Sequence, residues 1–564
     1  MKIKQLIISN IVALFLFTSF SSVVAAQDNA WIFPGTESKI AGSGFNQYNM
    51  YRFGNMQNVF NDGLDSKSLI AMFGEEKVCA KKGGVGRDGQ CEMKKEAEAW
   101  RRVQVGLMRG RHAEGMIVSA MRSYLESDEV WRNGLIYTYD FKMLRQRNQG
   151  FLAERSNELN MNDEMGNYIG YYQTLKELEA VYNEPFRQSS YGFSPMDFVN
   201  RLVDSLNSRK DFYTIEIGAY AGRSYRPLLP FEIHRMGTSA NYKISVYDAN
   251  CPETVGFLFI ATDSSSKMYY KPCNGRAEDF GGRRTLTPIS ARFLHNNRKF
   301  LCPFGRKSGS MAEGSSDDAD FVYFSFNGSG EILITDPNAK QIGYDHKTKK
   351  EVNQIADARI IYDDGDADSI FTPRYALPYD DAAKEPYRIV MSGDDLKKES
   401  NGNLTVTAPG FVVGFEGISL DPREKLSLSI SPDGKTLSFT ASADRETPSI
   451  FVTTGDGQEN PSYSFKIGGV VLEAGKTLTM TVNLEEGKIF VKDNDGKADS
   501  YDIDFRRLDP DASELIFVQA DVKLKGKDSY NIDISKWDDE TKPCVENEEG
   551  KRLFEEDCVA SDEK

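Results

Sequence analysis

Seven cysteines are the residues of this 564-residue chain whose spacing most directly implies chemistry. Cys79 and Cys91 bracket the glycine-rich loop KKGGVGRDGQ, Cys251 and Cys273 lie across a predicted strand pair, and Cys544 and Cys558 stand in an acidic tail. The spacing therefore predicts three short-range disulfides, with Cys302 left over as a buried thiol. Zinc ligation is not expected, because none of the four histidines is near a CxxC pair. Two acidic runs, DDGDADS (363–369) and KDNDGKADSYD (492–502), supply calcium-type oxygens. Counting back from Gly496 puts Val491 first and Asp502 last, where an EF-hand needs an acid and a glutamate. The first run reads as a solvated loop and the second as a hairpin turn. No metal or cofactor is expected.

Disulfides need an oxidising compartment, and the N-terminus directs the chain to one. Lys2 and Lys4 precede an apolar stretch from Leu6 to Phe20, and the small residues Val24, Ala25 and Ala26 follow, the layout of a signal peptide cleaved after Ala26. An uncleaved anchor needs about 20 apolar residues; Asn10, Thr18 and Ser19 interrupt this run. The expectation is an exported protein, periplasmic or extracellular, with no integral membrane span. Its formal charge is −15, and removing the two lysines makes it more negative still. Such a chain repels phosphate backbones, so nucleic acid is not an expected partner.

The elements that would position these residues change along the chain. From 95 to 208 the periodicity is helical: Ala113, Ile117, Ala120, Met121 and Tyr124 share one face. Ser194, Pro195 and Asp197 mark a second helix start, with Phe198, Val199, Leu202, Val203 and Leu206 as its stripe. Strands follow at 213–217, 242–248 and 256–261, which together predict an α+β domain over 27–290. FVYFSF, NGSG and EILITD predict a hairpin within a small β-rich domain at 291–385. Short strands punctuated by SPDGK, GDGQ and LEEGK predict a β-sandwich at 386–540, and 541–564 reads as an acidic, loosely ordered tail.

The stretch LMRGRHAEGMIVSAM (107–121) resembles the nucleophile segment of bacterial secreted proteins similar to papain-like cysteine peptidases, in which a pattern close to GGHCEGMAV opens the central helix. Gly110, His112, Glu114, Gly115 and Met116 match it, and the nucleophile position is Ala113. YRPLLPFEI and SVYDANCP resemble the segments that carry the base and the orienting acid; the base position is Arg226, with Asp248 and Asn250 retained. CPFG at 302–305 stands where relatives tend to read CPFC, and ITDPNAKQIGYDHKTKKEVNQIADA (334–358) extends the likeness. The resemblance implies a papain-like N-terminal domain whose catalysis is lost, since alanine cannot attack a carbonyl and arginine stays protonated.

Three functions follow as expectations. The leading one is a catalytically inactive, papain-like binding module in which Arg111, His112, Glu114, Arg223 and Arg226 line the old cleft. Its arginines would suit a protein or peptide ligand carrying an anionic group. The second is a hydrolase using Cys302 as a relocated nucleophile, with His112, His234 or His295 as base. The third is a cell-surface structural or adhesive β-sandwich. It lacks an evident sugar-binding aromatic platform, because three of the four tryptophans precede residue 135 and Trp537 stands alone.

Overall fold

The computed structural model describes residues 36–46, 50, 63–108, 112–124, 163–176, 178, 194–209, 212–218, 225–237, 241–251, 254–262, 268–272, 278–279, 284–288, 300–305, 321–361, 372–380, 382–455, 460–494, 499–524, 529–538 and 540–547. The segment read as a signal peptide, Arg111, Arg223, His295, Cys273, Cys558 and the run at 363–369 lie outside the described residues.

Helices come first. α1 (Ser66–Phe73) is capped by Asp65, whose carboxylate accepts the Ser68 N–H at 2.9 Å. After the single turn α2 (Glu75–Val78) come α3 (Lys95–Met108), α4 (Ala113–Tyr124), α5 (Asp163–Leu175) and α6 (Pro195–Ser208). α6 starts as its sequence predicts: the Ser194 hydroxyl accepts the Asp197 N–H at 3.1 Å, and Phe198, Val199, Leu202 and Leu206 are buried. α4 buries more than its expected stripe. Glu114, Met116, Val118 and Ser119 are as hidden as Ala113 and Ile117, so it is a central helix enclosed on all sides.

Among the described residues an antiparallel sheet runs β7 (Glu278–Asp279), β6 (Met268–Lys271), β5 (Val255–Ala261), β4 (Asn241–Tyr247), β3 (Tyr225–Met236), β2 (Tyr213–Gly218), β8 (Arg284–Pro288). β2 pairs with the first part of β3, and β1 (Glu37–Gly42) pairs with its last part. Pro227 and Pro230 sit inside β3, and the register with β4 slips between Pro230 and Glu232. A residue without an N–H is tolerated in a strand at such a bulge. Helices followed by an antiparallel sheet make this half α+β, as expected. Its core continues past residue 290: the Phe304 ring lies 5.5 Å from Phe73 and 5.6 Å from Trp100, so 300–305 packs with this half.

The remainder is one two-sheet sandwich, which corrects the separate domains expected over 291–385 and 386–540. One sheet runs β13 (Arg359–Ile361), β14 (Arg374–Pro378), β9 (Phe321–Phe326), β16 (Ser400–Ala408), β17 (Phe411–Leu420), β21 (Ser449–Gly455), β22 (Ser462–Gly468), β26 (Asp499–Leu508), β27 (Glu514–Leu524). The other runs β12 (Lys350–Asn353), β11 (Gln341–Asp345), β10 (Glu331–Thr335), β15 (Tyr387–Ser392), β18 (Lys425–Ile430), β19 (Thr436–Thr440), β24 (Thr477–Asn483), β25 (Lys488–Lys492), β28 (Ser529–Asp533), β29 (Cys544–Asn547). β20 (Arg445–Glu446) and β23 (Val471–Leu472) pair on their own. One apolar core from Val322 to Val545 fills the space between the sheets.

Three local expectations fail. FVYFSF and EILITD are β9 and β10, which belong to opposite sheets, so NGSG is a crossover and not a hairpin turn. The 492–502 run likewise carries the chain from β25 in one sheet to β26 in the other. Residues 544–547 of the presumed loose tail are an edge strand paired with β28. In the first case the strands' apolar residues are buried against partners remote in sequence, β16 for β9 and β15 for β10.

Cys79 and Cys91 are bonded, and Cys302 is a free thiol. Cys251 and Cys544 are also in disulfides, with partners outside the described residues. Breaking the Cys79–Cys91 clip by a double change to alanine should lower stability by about 2–3 kcal/mol, because it closes a short loop of the unfolded chain. Urea unfolding of the two proteins measures this, and coincident midpoints would contradict it. No helix among the described residues is long and apolar enough to cross a membrane.

Candidate functional site

The start of α4 is held from two sides. The His112 carbonyl accepts the Met116 N–H at 2.8 Å, and Ala113 is the first helical residue, only 1% exposed. The buried Glu114 carboxylate accepts the Thr214 hydroxyl of β2 at 3.3 Å, where the positive end of the helix dipole favours a negative charge. The Gly115 N–H donates to the Gln173 side chain of α5 at 2.8 Å. Burial pushes the His112 imidazole down to about 4, so it is neutral around pH 7.

Arg226 and Asp248 do meet. The Arg226 Nη1 lies 3.8 Å from Asp248 Oδ2, and the guanidinium sits 5.4 Å from the centre of the Tyr270 ring. The Tyr270 hydroxyl donates to the same carboxylate oxygen, and the Asn250 N–H donates to the other at 2.9 Å. Burial and the Asp248 charge both raise the Tyr270 hydroxyl far above its ordinary range, so it stays protonated as a donor. Asn250 thus serves through its backbone, and Tyr270, on β6, is a member of the cluster that sequence spacing did not single out.

The strand pairing decides on which face of the sheet this cluster lies. Arg226 pairs with Ile217, and side chains alternate across a strand, so Arg226 projects from the face opposite Thr214. Tyr270 lies on the Arg226 face, through the rungs Leu258–Tyr270 and Ile244–Leu258. Glu114 reaches Thr214 on the other face. The register therefore puts the Glu114–Thr214 contact at the start of α4 and the Arg226–Asp248 pair on opposite faces of the sheet.

Cys302 is poorly suited to replace them. Burial pushes its thiol up to about 12, and the charged groups that act on it are Lys77 and Glu96 rather than a histidine. His234 instead lies 3.2 Å from Glu232 on the same strand. Among the described residues no group of three or more His, Cys, Asp or Glu side chains could hold a metal ion.

An open cavity of about 220 Å³ lies elsewhere, where α3 crosses the outer face of the nine-stranded sheet. The Lys95 N–H donates to Ser462 Oγ at 3.0 Å at this junction, and Phe451 joins the first core. Ser325, Asn403, Thr405 and Ser464 supply hydroxyl and amide groups to the cavity. Its charges neutralise one another in three pairs: Glu98 with Arg102 at 3.3 Å, Glu416 with Lys466 at 2.6 Å and Asp504 with Arg506 at 3.0 Å. Comparison with protein-family models, curated proteins and solved structures finds no match to this chain.

Proposed function

We propose that this chain is an exported, catalytically inactive binding protein, and that the groove between α3 and the sandwich is its ligand surface. The observation that carries the reading is the engagement of Asp248 by Arg226, Tyr270 and the Asn250 backbone, on the sheet face opposite the Thr214 that Glu114 reaches. A carboxylate held in this way orients no base, and neither Ala113 nor Arg226 can accept a proton or attack a carbonyl. The papain-like resemblance adds that the nucleophile and base were lost together, and the signal-like N-terminus supports export. The groove supports binding, because it is concave, polar and crossed by two parts of the fold.

The unmodified protein should hydrolyse no peptide, amide or ester substrate. The double variant Ala113→Cys with Arg226→His should stay inactive, and its new thiol should titrate as it does in Ala113→Cys alone, because Arg226 lies on the sheet face opposite the Thr214 that Glu114 reaches. Alkylation rates across pH measure that titration. Peptide hydrolysis gained by the double variant would overturn the reading in favour of a cleft. Hydrolysis by the native protein that disappears with Cys302→Ser would overturn it in favour of the relocated nucleophile.

A further inference from the structure

We infer that β27 is a self-association edge, through which two copies of this chain join their nine-stranded sheets about a two-fold axis. Among the described residues β27 ends that sheet and has no strand on its free side. Ile516 and Val518 are 56% and 58% exposed there, two of the few large apolar side chains left in water, and they are two residues apart on one face. Natural sheets guard such edges with lysine, proline or a bulge. β27 reads ELIFVQADVKL; its straight part, Glu514 to Gln519, has no lysine or proline, and its one lysine, Lys523, lies beyond the bulge. The only irregularity comes after Gln519, where the register with β26 shifts.

The register of such a pair can be derived. Two copies of one strand related by a two-fold axis perpendicular to the sheet keep each residue on the same face. Residue i must then pair with a residue of the same parity, and the axis passes through a residue. Centring on Ile516 would set Glu514 opposite the partner's Val518 and leave a charge facing an aliphatic side chain. Centring on Val518 would run Ile516 onto Ala520, past the register shift. Centring on Phe517 sets Ile516 opposite the partner's Val518 and Val518 opposite the partner's Ile516. Both exposed pairs are then buried within the straight segment.

The choice of a second copy over an unrelated strand rests on this self-complementarity. Each copy offers the aliphatic pair in the order that its two-fold mate requires. The same rungs carry the ligand groove: Ser464 pairs with Arg506, which pairs with Ile516, and Lys466 pairs with Asp504, which pairs with Val518. Joining two edges would place two grooves on one continuous sheet face, with their β22 strands five strand spacings apart, roughly 24 Å. The association does not depend on the ligand reading. The net negative charge of the chain opposes it, so it should strengthen as salt shortens the screening length.

Sedimentation velocity of the full mature chain at physiological salt tests the inference. A monomer–dimer equilibrium is expected that moves toward dimer at higher salt. Val518→Lys should raise the dissociation constant by more than about tenfold, because the change occurs twice per interface and buries a charge against Ile516. Its far-UV spectrum and melting curve should match the parent, since Val518 is exposed. Cysteine pairs test the register. A mixture of Ile516→Cys and Val518→Cys proteins should give a cross-linked heterodimer under a short bifunctional reagent, whereas neither variant alone should. A chain that stays monomeric up to millimolar concentration, or a dimer indifferent to Val518→Lys, overturns the proposal. Cross-linking of Ile516→Cys alone overturns the register.

Discussion

Gly115→Ala should destabilise the protein by more than about 3 kcal/mol, although alanine is the better helix former by about 1 kcal/mol. A Cβ at Gly115 would stand 2.2 Å from the Ile169 carbonyl oxygen and 3.0 Å from the Gln173 nitrogen, both backbone atoms of α5. Neither can move aside without separating the two helices, and separation would also break the bond from the Gly115 N–H to Gln173. α5 is pressed on another side as well: a Cβ at Gly170 would overlap the carbonyl oxygen of Gly63, just before α1. Urea unfolding of Gly115→Ala should show a lower midpoint with an unchanged slope. A midpoint at or above that of the parent would mean that α4 and α5 do not cross at this glycine.

Acidification should weaken the fold through His112. The side chain is buried and its pKa is pushed down to about 4, against about 6.5 in the unfolded chain. Above pH 6.5 both states are neutral at this residue and it contributes no pH dependence. As pH falls toward 4 the unfolded chain takes up a proton that the native state refuses, so stability drops by up to about 3 kcal/mol. His112→Gln removes that proton while the carboxylates continue to titrate as before. The difference in unfolding free energy between pH 7 and pH 4.5 should therefore be smaller in the variant than in the parent. Equal pH dependence in the two proteins would mean that His112 is not held neutral by burial.

Features settled within a few residues were legible in the sequence. The Ser194 cap and its apolar stripe define α6, alternating apolar residues define β2, β4 and β5, and Cys79 and Cys91 are close enough along the chain to find each other. Arg226 on β3 and Asp248 just past β4 lie 3.8 Å apart. What the residues could not carry was the choice of partner. The local code of an apolar strand, a glycine turn and a second apolar strand is the same whether the strands pair or part, so FVYFSF and EILITD read as a hairpin. Only burial against β16 and β15, recruited from far along the chain, sent them to opposite sheets. The candidate site divided for a related reason. The face on which Arg226 lies is set by its pairing with Ile217, and the face that α4 covers is set by Thr214. A shift of one residue in that register would have put Arg226 on the Thr214 face, and register is decided by the packing of both sheet faces at once.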